Sequence, residues 1–405
     1  MTYSDSSNSA LPLEGMRVLS FCHYLQGPAA AQYLADMGAD VIKVEPTKGA
    51  FERHWAGAEA FIDDVSAFFL SANRNKRSLA LDLKNPDSAE ILEKLIATAD
   101  VILENYRPGV MDRLKLGYEA VAKIKPDIIY VSATGFGADG PLRDRPGQDL
   151  LIQARAGLIS ASGSEPTATG FAVVDQHGAA LLAMGIAAAY AGKLKTGKGT
   201  RIESSLFNAG IDLQTESLTL YYSSGQSAKA FERHPNVGTW FHEAPYGVYA
   251  LNDAYVAISL NPVARIAEAL SSASISEVAS KNAYKDRDLV AATVAKELQS
   301  WRFEDLAKAF DAAGVWYERV SNYDDLRFDP QALHNGVFST LALKGGDATL
   351  VNHPLKYDGR VPEMRMPPPG LGEHSQSILS DLGFSADQIG QFTTSGAVVT
   401  GQPLE

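Results

Sequence analysis

Cysteine is nearly absent: Cys22 stands alone among 405 residues. A single thiol excludes an intrachain disulfide and any cysteine-rich zinc site, and it fits a reducing compartment. Basic charge is also short. The 36 Lys and Arg face 48 Asp and Glu, a formal net charge of −12, which excludes a general attraction to nucleic acid or to an anionic membrane surface. A polyanionic ligand would have to be held by a local cluster of cations. No stretch approaches the roughly eighteen uninterrupted apolar residues of a membrane span. The 8 histidines contain no H-x-x-x-H pair and no HExxH motif, so no metal site is assigned. Neither a G-x-G-x-x-G loop nor a G-x-S-x-G elbow is present. The segment Met1 to Ala10 is polar, without the basic and apolar regions of a secretion signal, and is read as a disordered lead on a cytoplasmic protein.

What is present describes a globular chain, 45% hydrophobic and 21% charged, long enough for two domains. Gly15 to Phe21 reads as a strand, Ala29 to Met37 as a helix preceded by Gly27-Pro28, and Asp40 to Glu45 as a second strand. This strand, helix, strand order is the signature of a parallel α/β sheet. The pattern continues with strands at Arg77 to Leu83, Val101 to Asn105 and Asp127 to Ala133, and helices from Asn85 through Ala97 and from Val110 to Leu116. In such sheets ligands bind at the carboxyl ends of the strands, which directs attention to the loop Cys22-His23-Tyr24-Leu25-Gln26. A turn-rich loop between Thr134 and Pro146 leads to a helix from Gln148 to Gly157, and an amphipathic helix is expected from Ser204 to Tyr222. The polar segment Ser223 to Gly238 reads as a domain boundary. Beyond it, Tyr246 to Ala250 and Tyr255 to Ser259 form a hairpin, and helices run to Ala313. From Ser321 onward little secondary structure is predicted before one amphipathic helix and a frayed tail.

Between Gly170 and Tyr190 a short apolar run ends in the carboxylate of Asp175, and a long helix of small residues follows. At a helix start Asp is a common N-cap, its carboxylate accepting from unpaired N–H groups of the first turn. Those N–H groups and the helix dipole would also lower the carboxyl pKa and keep it ionised, as a nucleophile requires. On local pattern alone the cap is the expected role, because Asp is among the commonest caps. Asp149 is the other carboxylate at a predicted helix start. Arg74, Lys76, Arg77, Lys84, Arg107 and Arg113 are expected in loops near the carboxyl ends of predicted strands, where their convergence would suit phosphates. Solvated loop charges are the alternative. His23 and His177 read as packed histidines.

Taken in order, Gly15-Met-Arg-Val-Leu, Gly27-Pro28, Met37-Gly-Ala-Asp-Val-Ile-Lys-Val-Glu45, Asn75-Lys-Arg-Ser-Leu-Ala-Leu-Asp-Leu-Lys84, Glu104-Asn-Tyr-Arg-Pro-Gly109, Gly147-Gln-Asp149, Asp175, Thr196-Gly-Lys-Gly199 and Pro369-Gly-Leu-Gly-Glu-His374 are together specific. From about Leu13 to His374 the chain resembles the class III CoA-transferase family, which includes formyl-CoA and carnitine-CoA transferases and the α-methylacyl-CoA racemases. The resemblance implies an α/β fold, a parallel-sheet large domain plus a smaller α+β domain, in an interlocked homodimer. The implied division is a disordered lead at 1–12, a large domain at 13–225, a small domain at 231–320 and a C-terminal segment, 321–405, returning to the large domain.

The implied activity moves coenzyme A from an acyl-CoA donor to a carboxylic acid acceptor. Asp175 would be the nucleophile, passing through mixed anhydrides and an aspartyl-CoA thioester. Asp149 would lie near it. Where one branch has a glutamine two residues before its Gly-Pro, this chain has Leu25, and the adjacent Gln26 is the candidate oxyanion donor. The family's CoA contacts map onto His23, Tyr24, Leu25, Gln26, Leu81, Lys84, Asn105, Tyr106, Arg113 and Leu114. That branch has a basic residue where Pro46 stands, and Lys48 or Arg53 are the candidate substitutes. Gln148, Trp55 and Trp240 are candidates to face the acyl group. The implied partners are small molecules and a second copy of the chain, with no metal, nucleic acid or membrane. Racemases of the family carry His where Gln148 stands, so two-base proton exchange lacks a partner and transfer is favoured over racemisation. A non-catalytic acyl-CoA-binding protein is the alternative of a different class.

Overall fold

The computed structural model describes residues 11–404. Of the expected lead, only Leu11 and Pro12 lie within them. Two compact units form: the first is the described part of Met1–Ile152 with Ala172–Gly210 and Gln331–Glu405, the second Gln153–Phe171 with Ile211–Pro330.

The first unit is built on six parallel strands, β1 (Arg17–Phe21), β2 (Asp40–Glu45), β3 (Lys76–Leu81), β4 (Val101–Glu104), β5 (Ile129–Thr134) and β6 (Thr200–Ser205). Their spatial order is β3, β2, β1, β4, β5, β6, and a C-terminal strand, Val398–Val399, adds antiparallel to β3. The winding reverses between β1 and β4, so a crevice opens at the carboxyl ends of those two strands. The central strands β1, β4 and β5 are largely apolar on both faces, as burial between two helix layers demands. Successive residues alternate between two cores. Leu19, Phe21, Ile102 and Tyr130 enter one; Val18, Val101, Leu103 and Val131 enter the other.

The second of these cores is closed by α1 (Gln26–Asp36) and, further along the chain, by a long helix, Val173–Thr196. Ala30, Ala31, Leu34 and Ala35 of α1 share it with Ala179, Leu182, Ala183 and Ile186 of the long helix. Small side chains let the two helices approach closely, which fixes where the long helix begins. α2 (Ser88–Ala97) covers the opposite face through Ile91, Leu92, Leu95 and Ile96. The apolar spacing predicted from Asn85 gives this helix, which starts later because Asn85 and Pro86 form the turn before it.

The tail is not frayed. Val398 pairs with Leu81 and is buried, and the Asp82 N–H donates to the Ala397 carbonyl at 2.9 Å. A hairpin of Phe338–Leu343 and Gly346–Val351 also appears where little structure was predicted. The helix expected from Ser204 to Tyr222 instead breaks into β6 and two helices, Leu206–Asp212 and Thr215–Ser223.

Half of the expected cation cluster is structural. Arg74 is buried and forks onto Asp36, with Nε to Oδ1 at 3.0 Å and Nη2 to Oδ2 at 2.7 Å. Lys76, also buried, donates to the carbonyls of Pro28 (2.8 Å) and Ala72 (2.6 Å) and to Asn73 Oδ1 (2.9 Å). Desolvation holds its pKa well below the lysine range. Arg77 pairs with Asp40 at 2.7 Å and Asp381 at 3.2 Å. Lys76 and Arg77 open β3 rather than close it, so they lie at the strand end away from the crevice. Arg74→Ala is therefore expected to cost about 3–5 kcal/mol in chemical unfolding, because it leaves Asp36 buried without its guanidinium. CoA affinity of the folded protein should not change; a selective loss of affinity at unchanged stability would restore Arg74 to the ligand site.

The second unit is α+β. Strands Tyr317–Arg319, Tyr255–Ile258 and Gly247–Ala250 form an antiparallel sheet in that order. Tyr249, Val256 and Ile258 pack on one face against Ile266, Val290, Val294, Leu306 and Phe310 of the helices. The expected α/β class, a parallel-sheet unit with a smaller α+β unit, is what the chain forms. Among the described residues no helix is long and apolar enough to cross a membrane.

Candidate active site

The loop after β1 and the loop after β4 meet at the crevice. The His23 N–H donates to Asn105 Oδ1 at 3.0 Å, and Asn105 Nδ2 donates to the His23 carbonyl at 2.7 Å. Asn105 thus uses both ends of its amide on the loop and fixes the His23 backbone. The His23 ring lies 5.0 Å from Tyr24 and 5.2 Å from Tyr106, and burial pushes its imidazole below the ordinary histidine range. Tyr24 adopts φ 62° and is exposed. Its ring continues to Phe51 at 5.2 Å, and Phe51 stacks on Trp55 at 5.8 Å. Together these exposed rings make an apolar wall.

The other mapped residues divide. Lys84, Arg107 and Arg113 are exposed, as is Lys48. Arg53 is committed: it forks onto Glu45 at 2.7 and 2.8 Å and donates to the Pro369 carbonyl at 3.0 Å. Leu25 is buried just before α1, and Leu114 packs half-buried against the core beneath β4. Leu81 is 0% exposed within β3 and offers a ligand no surface. Trp240, in the second unit, is 2% exposed; its indole N–H donates to Ser217 Oγ at 2.7 Å, and its ring packs on Tyr221 and Phe231. Packing accounts for both. Gln148 is exposed immediately before α3 (Asp149–Arg155).

The long helix is α4 (Val173–Thr196), and Asp175 is its third residue, not its N-cap. Ala172 holds the cap position without a side-chain hydrogen bond. Asp149 supplies the cap from α3: its Oδ2 accepts from Val174 N at 2.7 Å and Asp175 N at 3.0 Å. The Asp175 carboxyl is consequently not needed to satisfy the helix start. The expected fall in its pKa is reversed. Burial first, and the nearby Asp149 carboxylate second, raise it to about 7. Desolvation and like charge outweigh the helix dipole, whose N–H groups are already taken by Asp149.

Gln26 opens α1 directly after the β1 loop and is buried, yet its Nε2 has no hydrogen-bond partner. That nitrogen lies against Gly178, one turn beyond Asp175, where any Cβ would collide with it. A buried donor left without a partner costs about 1–3 kcal/mol. The contact also ties the first turns of α4 to the crevice end of β1. Two charged residues given no role of their own by the sequence, Lys43 and Glu52, are buried under the same loop. Lys43 was visible as a cation between Ile42 and Val44 of a two-face-buried strand; nothing local marked Glu52. Among the described residues no group of three or more His, Cys, Asp or Glu is placed to hold a metal.

Fold and site together define a doubly wound α/β protein with a carboxyl at a helix start that does not serve as its cap, and with an aromatic wall beside the loop after β1. The chain belongs to CoA-transferase family III, whose family model matches residues 13–375. Human succinyl-CoA:glutarate CoA-transferase is 32% identical over 406 residues, covering 96% of this chain and 91% of that protein. The succinate–glutarate CoA-transferase of Agrobacterium fabrum is 28% identical, covering 94% of this chain and 98% of its own length. Among solved structures, a CAIB/BAIF family protein from Brucella suis matches with a TM-score of 0.79 at 28% identity, over 92% of this chain and 100% of that chain.

Proposed function

We propose that the chain is a CoA-transferase in which Asp175 carries the group being exchanged. The ionised carboxylate attacks the acyl-CoA carbonyl, breaking the C–S bond to give a mixed anhydride and CoA thiolate. The thiolate attacks the aspartyl carbonyl of the anhydride, releasing the donor acid and leaving an aspartyl-CoA thioester. An acceptor carboxylate then attacks that thioester, and the expelled thiolate attacks the acceptor's carbonyl in the new anhydride. Acyl-CoA product leaves and Asp175 is regenerated. The observation that carries this reading is the division of labour between two carboxylates, Asp149 capping α4 and Asp175 left to react.

Gln26 Nε2 is the candidate donor to the tetrahedral oxyanions. Lys84 and Arg113 are the candidate partners for CoA phosphates, and the rings of His23, Tyr24 and Tyr106 suit its apolar parts. An amide at Gln148 exchanges no proton with a substrate α-carbon, which favours transfer over racemisation. Short dicarboxylates, the acids after which those relatives are named, are the acids proposed for this chain. The proposed setting is a cytoplasmic homodimer.

Incubation with succinyl-CoA and glutarate, followed by chromatography, is expected to yield glutaryl-CoA and succinate in equal amounts without accumulation of free CoA. Solvent deuterium entering a 2-methylacyl-CoA in the absence of any added acid would support racemisation instead. Binding of acyl-CoA without turnover of any acid in a dicarboxylate and monocarboxylate panel would overturn the enzymatic reading.

A further inference from the structure

We propose that the buried ion pair of Lys43 and Glu52 holds the loop after β1 in its ligand-binding shape, so that Glu52 is a positioning residue for acyl-CoA. The inference rests on the reading of that loop as a CoA contact. Lys43 Nζ and Glu52 Oε1 are 2.8 Å apart, with side chains 1% and 0% exposed. Each also makes a hydrogen bond to the loop backbone. Lys43 also donates to the Cys22 carbonyl at 3.1 Å, and Glu52 Oε2 accepts from the Tyr24 N–H at 3.2 Å. With Asn105 on both sides of His23, the backbone of three consecutive residues, Cys22, His23 and Tyr24, is held by side chains from β2, the Phe51–Arg53 turn and the β4 loop.

The restraint has something to oppose. Tyr24 sits at φ 62°, a left-handed conformation that a residue with a side chain leaves when its surroundings permit. A buried ion pair adds little net stability over apolar residues of the same size, and its best-attested use is to specify one arrangement. Here the arrangement specified is the loop. Glu52 also joins two parts of the ligand wall, since it lies between Phe51 and Arg53, and Arg53 is itself clamped to Glu45 and the Pro369 carbonyl. Tyr24 from one loop and Phe51 and Trp55 from the other are thereby presented as one surface. Acyl-CoA then meets a wall already ordered, and the ordering is not charged to binding.

Two double variants isolate the hydrogen bond from the charges. Lys43→Met/Glu52→Leu removes both charges and the acceptor for Tyr24 N–H. Lys43→Met/Glu52→Gln removes both charges and keeps an amide oxygen at that point. The first is expected to raise KM for acyl-CoA about tenfold with kcat within about threefold of wild type, and the second to return KM to within about threefold. Glu52→Asp keeps the charge beside Lys43 for folding but withdraws the oxygen from Tyr24; its KM is expected to rise at least about threefold. Unchanged KM in Glu52→Asp and in the folded Met/Leu variant, or a loss confined to thermal stability and kcat, would overturn the positioning role. Calorimetry of the wild-type protein separates the two readings. Absence of CoA binding there overturns the assignment of the loop, whereas tight binding that persists unaltered in the variants overturns only the part given to Glu52.

Discussion

Asp175→Asn lowers CoA transfer by at least about 10⁴-fold while the protein stays folded. The isosteric amide removes the nucleophile and nothing that α4 depends on, because Asp149 makes the capping contacts to Val174 N and Asp175 N. Stability should move in an unusual direction. The folded-state pKa of Asp175, about 7, lies above the ordinary aspartate value of 3.8. A raised carboxyl contributes its stability below the unfolded pKa and loses it as pH rises through the folded pKa, here from about 4 to about 7. At pH 8 the wild-type protein therefore carries the cost of a half-buried carboxylate, and Asp175→Asn is expected to be more stable by about 1–3 kcal/mol. At pH 4 the difference should vanish. Retained transfer, or destabilisation at pH 8, would show that Asp175 is an ordinary structural residue.

The second large effect is on pH dependence. The attacking group must be ionised, so the acidic limb of kcat/KM should rise about tenfold per pH unit and level off near pH 7, following Asp175. Asp149 contributes to that position by like-charge repulsion but is the smaller cause; burial is the larger. Asp149→Asn keeps a side-chain oxygen to accept from the α4 N–H groups and deletes the charge. Its limb should shift downward by about one pH unit, leaving the variant several-fold faster than wild type near pH 5.5, before any loss of positioning on the plateau. An unmoved limb would mean that a group other than Asp175 titrates in the free enzyme.

Much of this was legible in the sequence because it is written in local periodicity. The alternation of strand and helix from Gly15 to Ala133 sets a parallel sheet, and the loop after β1 falls at the switch point as parallel α/β sheets require. Asp175 stood out as the only carboxylate between an apolar run and a helix of small residues. Its electrostatics did not. Whether a helix start lowers a carboxyl pKa depends on who occupies the N–H groups, and Asp149 lies 26 residues earlier in the chain. Arg74 and Lys76 looked like ligand cations for a related reason. Charge is visible in sequence, but burial against Asp36 or against the carbonyls of Pro28 and Ala72 is a tertiary event. The same holds for Leu81 and Trp240, whose apolar character suits a pocket and a core equally. Short pieces such as Val398–Val399 carry too little pattern to be read and owe their strand form to the edge of β3 that they cover.

Covalent catalysis is tested most directly by trapping. The enzyme is incubated with acyl-CoA alone, quenched with hydroxylamine, digested and sequenced by mass spectrometry. Nucleophilic action predicts a hydroxamate on one residue, Asp175, formed only when acyl-CoA is present and missing from Asp175→Asn. An unmodified Asp175 in enzyme that still exchanges CoA between acids, or a hydroxamate on Asp149 instead, would contradict it.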